Sequence, residues 1–230
     1  MATALNQLIE LLPRKERLRL LALCEPVQLV RAEVLSEPGQ TATHVYFPTE
    51  GIISLLALID GKGGVEVGMV GCEGMLGAQL ALGVASAPLR ALVQGAGAAW
   101  RIGSGAFCIE LARSAPLQRR LNRYLYLLMA QLAGSAGCLR FHRLGPRLAR
   151  WLLMTQDRAR SDSFRVTHEF LASMLGVRRV SITQAAVALE RSGLIEYRRG
   201  DLTVLDRSAL EAQACGCYAV ERQAYAELMH

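Results

Sequence analysis

The stretch Thr167–Leu205, THEFLASMLGVRRVSITQAAVALERSGLIEYRRGDLTVL, decides the reading of this 230-residue chain. Thr167 can cap a helix whose first turn carries His168 and Glu169 and whose inner face is Phe170, Leu171 and Met174. Gly176 ends that helix, because a tight turn needs a residue that tolerates positive φ. A second helix follows from Arg178 to about Ser192, with Ile182, Ala185, Ala186 and Leu189 turned inward. Beyond it, Leu194–Arg198 and Leu202–Leu205 alternate as strands around Arg199-Gly200-Asp201, a hairpin with a basic tip. Helix, glycine turn, helix and basic hairpin together form a winged helix-turn-helix. The second helix of such a unit fits the major groove, so Arg178, Arg179, Ser181 and Gln184 on its exposed side can reach base edges. Arg198 and Arg199 at the hairpin can meet phosphate.

Charge supports the same reading. The net charge is +6, and Arg140–Arg207, with 13 basic and 7 acidic residues, carries all of it. A basic segment joined to a neutral one is the electrostatic outline of a nucleic-acid module attached to a control module.

The rest of the chain divides by texture. Leu5, Leu8, Ile9 and Leu12 have helical spacing, and Pro13 opens a second short helix with Arg17, Leu18, Leu20 and Leu21. From Val27 to Ile102, short apolar runs (VQLV, HVYF, IISLLALI, GVEVGMV, LRALV, AAWRI) alternate with turns such as Glu37-Pro38-Gly39 and Asp60–Gly64. Such a pattern predicts a β-roll. A long helix follows, in which Leu121, Leu125, Leu128, Leu132, Ser135 and Leu139 repeat at a 4-3-4-3-4 spacing, the seam of a two-stranded coiled coil. Gly134 and Gly137 would let another helix approach closely. The same spacing also suits a helix buried against its own domain, since a seam does not say what it meets. Phe141–Gly145 reads as a hinge before a helix from Pro146 to about Arg158. The expected architecture is α+β, with domains at 1–115 (β-roll), 116–140 (dimerisation helix) and 141–230 (winged helix).

In this order of parts, and in LASMLGVRRVSITQAAVALERSGLI (171–195), VYFPTEGIIS (45–54) and VEVGMVGCEGMLG (65–77), the chain resembles the Crp/Fnr family of bacterial regulators. The resemblance implies a homodimer on a near-palindromic double-stranded DNA site, with RNA polymerase as a further partner. Arg179, Val180 and Gln184 stand where members of the family often place Arg, Glu and Arg for base contacts. Arg179 is kept, whereas Val180 would suit a thymine methyl and Gln184 an adenine. Nucleotide-binding relatives carry a Gly-Glu-Leu-like turn followed by an Arg that neutralises the cyclic phosphate. Here Gly77 is kept, but Ala78 replaces the Glu and Ala87-Pro88 occupy the Arg position, with Arg90 three residues out of register. The cassette is therefore expected to be degenerate and the regulator independent of cyclic nucleotides.

Other function classes find little support. Only Cys24 precedes Cys72, so the closely spaced thiolates of an iron–sulfur sensor are missing. Cys215-Gly216-Cys217 offers at most two of the four ligands of a structural metal, and His44, His142, His168 and His230 show no metal spacing. No cofactor is expected, and no catalytic carboxylate pair, nucleophile triad or phosphate loop is visible. The weakly charged run Tyr124–Leu139 is 16 residues, short of a membrane span, and no secretory signal is evident. Six scattered cysteines suit a reducing cytoplasm. The alternative is a ligand or redox sensor that acts mainly through protein contacts, with the winged helix as its interaction surface.

Overall fold

The computed structural model describes residues 6–60 and 63–229, so the expectations that fell on Leu5, Gly61, Lys62 and His230 lie outside it. Two short helices, α1 (Gln7–Glu10) and α2 (Arg14–Leu21), open the chain. The buried Asn6 caps α1 and donates its side-chain amide to the carbonyls of Pro48 and Gly74, 2.9 Å each. Seven antiparallel strands then form the β-roll: β1 (Glu25–Leu29), β2 (Val34–Ser36), β3 (His44–Pro48), β4 (Ile52–Leu58), β5 (Gly64–Val70), β6 (Arg90–Gly95) and β7 (Gly97–Gly103). They pair as two sheets, β1-β7-β3 and β2-β6-β4-β5. Every run expected to be a strand lies in one of them, and only the short β2, broken by a register shift against β6, falls outside those runs. Val45, Phe47 and Ile102 bury one face, and Ile53, Val70 and Val93 another.

After α3 (Ser104–Arg113), Ser114 caps the 27-residue α4 (Ala115–Phe141) through a bond from the Leu117 amide. The helix lies against the β-roll. Leu121, Leu125 and Ser135 are buried within their own subunit, and Leu128, Leu132 and Leu139 are half-buried. Three of the six seam residues are therefore unavailable to a partner helix. The face left to solvent runs through Asn122, Tyr126, Met129, Ala133 and Ala136, with Tyr126 62% and Met129 65% exposed. It repeats the same heptad displaced by one residue, about 100° around the helix.

His142 and Arg143 link α4 to α5 (Leu144–Ala159), in which every residue from Arg147 to Gln156 is buried. Leu148 and Leu152 are fully enclosed. Each is worth about 1.5–3 kcal/mol of burial. The winged unit follows: β8 (Ser163–Arg165), α6 (His168–Leu175), α7 (Arg179–Arg191), β9 (Ile195–Arg198) and β10 (Asp201–Val204), with a sheet ordered β8-β10-β9. Two helices close the chain, α8 (Arg207–Gln213) and α9 (Cys217–Met229). The last lies along α4, with Tyr218 at its start packed into the core of the winged unit. Arg120 and Arg123 of α4 donate to the Met229 and Leu228 carbonyls, at 2.9 and 3.2 Å, and Tyr225 donates to the Glu73 carbonyl at 2.8 Å. Gly134 faces Glu221 of this helix. One helix that the small residues of α4 admit is thus the chain's own. Among the described residues no helix is long and apolar enough to cross a membrane.

The winged unit also rests on the β-roll. Trp151 donates its indole N–H to Glu66 Oε1 at 2.9 Å, and Arg158 pairs with Glu73 at 2.8 Å. Burial pushes the Glu66 carboxyl up to about 7, and its Oε2 is enclosed without a hydrogen-bond partner. A carboxyl with a raised folded-state value binds its proton more tightly folded than unfolded. The contribution of Glu66 to stability should therefore be fully present below the ordinary carboxyl range and be lost as pH rises through about 7. Thermal melts of Glu66→Gln should lose this decline between about pH 5 and about pH 8. An unchanged slope in the variant would assign the dependence to another group.

Candidate nucleic-acid interface

The recognition unit is positioned by local chemistry that the sequence shows directly. Thr167 Oγ1 accepts the Phe170 amide at 3.1 Å and fixes the start of α6. Gly176 adopts φ +64°, so a side chain there would be strained, and the chain turns into α7 after Arg178. Ile182, Ala186 and Leu189 bury the inner face of α7 against α5 and α6. Arg178, Arg179 and Val180 are exposed around the N-terminal end of α7, Gln184 is exposed one turn further on, and Ser181 is half-buried.

Among the described residues the Arg179 guanidinium has one ion pair, a long exposed one with Glu169 at 4.0 Å, which leaves it able to turn toward a ligand. The hairpin reverses at Arg199 and Gly200, φ +52° and +91°, the two positive values that a tight two-residue hairpin turn requires. Arg198 and Arg199 are exposed beside it, with Arg198 paired to Glu196 at 2.6 Å.

Some supporting residues were not picked out from sequence. His168 stacks on Tyr197, ring centroids 4.5 Å apart, and its Nδ1 meets Thr183 Oγ1 at 3.0 Å, tying wing to both helices. Glu190 accepts the Tyr197 amide at 3.0 Å. Arg165 on β8 lies opposite Asp201 and adds an exposed cation to the wing. Their signal in the sequence is weak because each acts across strands and helices that are distant in the chain.

The β-roll cassette is also formed. Gly77 takes φ +95° and precedes a 3₁₀ turn, Ala78–Leu82. Ala78 and Ala87 are buried, and Pro88 is exposed. They border a cavity of about 200 Å³ that also meets Leu55, Val70 and, from α4, Leu125 and Leu128. Among its described lining residues there is no arginine, lysine, aspartate or glutamate. Arg90, the nearby candidate cation, is held by Glu37 through bonds of 2.9 and 3.1 Å. Cys72 lines a different cavity, between α4 and α9, and burial raises its thiol.

Residues 146–213 match the Crp-like helix-turn-helix domain. Among curated protein sequences none matches the chain. Solved structures do. FixK2 of Bradyrhizobium japonicum superposes with TM-score 0.69 at 13% identity, covering 84% of this chain and 98% of its own. The c-di-GMP-responsive global regulator CLP of Xanthomonas campestris gives 0.67 at 18%, covering 84% and 100%. A CRP-family transcriptional regulator of Thermus thermophilus gives 0.66 at 22%, covering 82% and 96%. Residues 146–213 are thus a Crp-like helix-turn-helix domain, and the chain as a whole has the fold of the Crp/Fnr regulators.

Proposed function

We propose that this protein is a sequence-specific DNA-binding transcription regulator of the Crp/Fnr type, cytoplasmic and not an enzyme, that acts as a homodimer without cyclic nucleotide. The observation that carries the reading is the exposed N-terminal end of α7. Arg178, Arg179 and Val180 are exposed there, Gln184 is exposed one turn further on and Ser181 is half-buried beside them, and the exposed Arg198 and Arg199 lie on the hairpin that follows the helix. That arrangement can insert a helix in the major groove while Arg198 and Arg199 meet the backbone. Selection of bound fragments from a random DNA pool tests it. Recovery of a motif with two symmetric half-sites about one helical turn apart is expected, with affinity that falls steeply with salt. Recovery of no motif would refute it.

The dimer proposed here places the outward strip of α4, through Tyr126, Met129 and Ala133, against the same strip of a second copy. Nucleotide independence rests on a cavity that no arginine or lysine lines among the described residues, its polar groups being His44, Tyr46 and neutral Ser, Thr and Gln side chains. A cyclic phosphate taken into it would lose hydration with no guanidinium or ammonium to replace the water, a cost of several kcal/mol. That is enough to move a micromolar ligand beyond millimolar. Calorimetric titration of nucleotide-free protein with cyclic AMP or cyclic GMP should show no binding in the micromolar range. Micromolar binding accompanied by tighter operator affinity would overturn this part of the reading.

A further inference from the structure

The link between α4 and the winged unit carries a cluster of four side chains that the DNA-binding reading does not use. Cys138 and His142 lie one turn apart at the C-terminal end of α4, the second as its cap residue. Cys215 and Cys217 flank Gly216 in the turn from α8 into α9. One donor atom from each lies within 4.8 Å of every other. Cys138 Sγ is 3.5 Å from Cys215 Sγ, and Cys217 Sγ is 3.6 Å from His142 Nδ1.

We propose that Cys138, His142, Cys215 and Cys217 bind a single zinc ion, which fastens the end of α4 to the α8–α9 turn.

The chemistry of the donor set selects the occupant. Three thiolates and one imidazole are a recurring structural zinc set. Zinc–sulfur and zinc–nitrogen bonds of about 2.3 and 2.05 Å at tetrahedral angles separate sulfurs by about 3.8 Å, and sulfur from nitrogen by about 3.6 Å. The two separations above lie within a few tenths of an ångström of these. A polynuclear iron–sulfur core would need its thiolates spread more widely than this cluster allows. Hard cations such as magnesium or calcium prefer oxygen donors, and none belongs to the set.

Binding exchanges three thiol protons for the ion and leaves the centre with one net negative charge. The neighbouring cation suits that charge. Arg150, buried on α5, is electrostatically coupled to Cys138 and Cys215, and its Nε is enclosed without a hydrogen-bond partner. Its other contacts, to Glu221 on α9 and the Ser135 hydroxyl on α4, hold it between the same two helices. A buried N–H left over next to thiolates is the kind of outer-shell donor that metal sites use to orient their sulfurs.

The place of the centre gives it a consequence. His142 and Arg143 are the whole linker between the long helix and the winged unit, and the Cys215 amide donates to the Pro146 carbonyl at 3.3 Å. An ion joining His142 and Cys138 to the 215–217 turn would remove the freedom of that linker. The ion would then add to the Trp151–Glu66 and Arg158–Glu73 contacts in holding the second helix of the winged unit at one angle to α4, and loss of metal would loosen that hold.

The test uses the full-length protein purified under reductant without chelator or affinity-tag metal. Elemental analysis should find about one zinc per chain. Apoprotein given cobalt(II) alone should show tetrahedral ligand-field bands together with thiolate-to-cobalt charge transfer. His142 is exposed, so His142→Ala should fold normally and weaken zinc more than about 100-fold in competition with a chromophoric chelator, a loss larger than outer-shell changes cause. Cys217→Ser should do the same, whereas Cys24→Ser and Cys108→Ser should keep the ion. Absence of stoichiometric zinc together with an octahedral cobalt spectrum would overturn the proposal. So would a Cys138–Cys215 disulfide found by mass spectrometry in protein trapped directly from cells, or unchanged zinc affinity in His142→Ala.

Discussion

Met129→Asp should convert the protein to a monomer and abolish tight operator binding, while the single subunit remains folded. Met129 is 65% exposed on the outward strip of α4, so an aspartate there is solvated in the free subunit and costs it little. At a dimer seam the same carboxylate would be desolvated opposite its own copy, without a partner charge, at a cost of several kcal/mol. A dimer reads two half-sites with one loss of translational freedom, so dissociation should weaken operator binding by more than about 100-fold. Sedimentation equilibrium measures the first effect and competition binding the second. Leu121→Asp is the contrast, because Leu121 is fully enclosed against the β-roll and its replacement should unfold the subunit. If Met129→Asp stayed dimeric, the two subunits would have to meet elsewhere.

Arg179→Ala should erase preference at one base pair of each half-site, at about 1–3 kcal/mol per half-site and roughly twice that for the dimer. The arginine stands at the start of α7 with no anchor among the described residues beyond the 4.0 Å pair to Glu169, so a bidentate contact to a guanine edge would be its strongest partner. Non-specific affinity should fall much less, and this separates base reading from charge. Arg199→Ala at the hairpin tip should behave in the opposite way, weakening all sequences alike and reducing the salt slope by about one per subunit. Unchanged sequence preference in Arg179→Ala would mean that α7 does not enter the groove by its N-terminal end.

Much of this molecule is legible without coordinates because its signals are local. Thr167 as a cap, Gly176 at positive φ, the apolar spacing of α7 and the Arg199-Gly200 reversal each depend on residues a few positions apart. The strands of the β-roll announce themselves in the same way, as short apolar runs between turns. That Ala78 and Ala87 bring no charge to the β-roll cavity was readable too, since alanine cannot supply charge wherever it points.

The sequence by itself determined most of the order of elements, the helix-turn-helix with its hairpin and the side chains exposed at the start of its second helix, because propensity, caps and turn chemistry act over one or two turns of chain. Tertiary structure alone decided which face of α4 is free. Leu121–Leu139 and Asn122–Ala136 share one heptad rhythm, and only the packing of the helix on its own subunit shows that Leu121, Leu125 and Ser135 of the first set are buried. It alone laid α9 along α4, carried Trp151 to Glu66, and brought the pair Cys138 and His142 together with the pair Cys215 and Cys217, more than seventy residues further along the chain. Periodicity records that a side chain will be buried or will bind. What it is buried against, or binds with, is set by chain returns whose closure leaves no local mark.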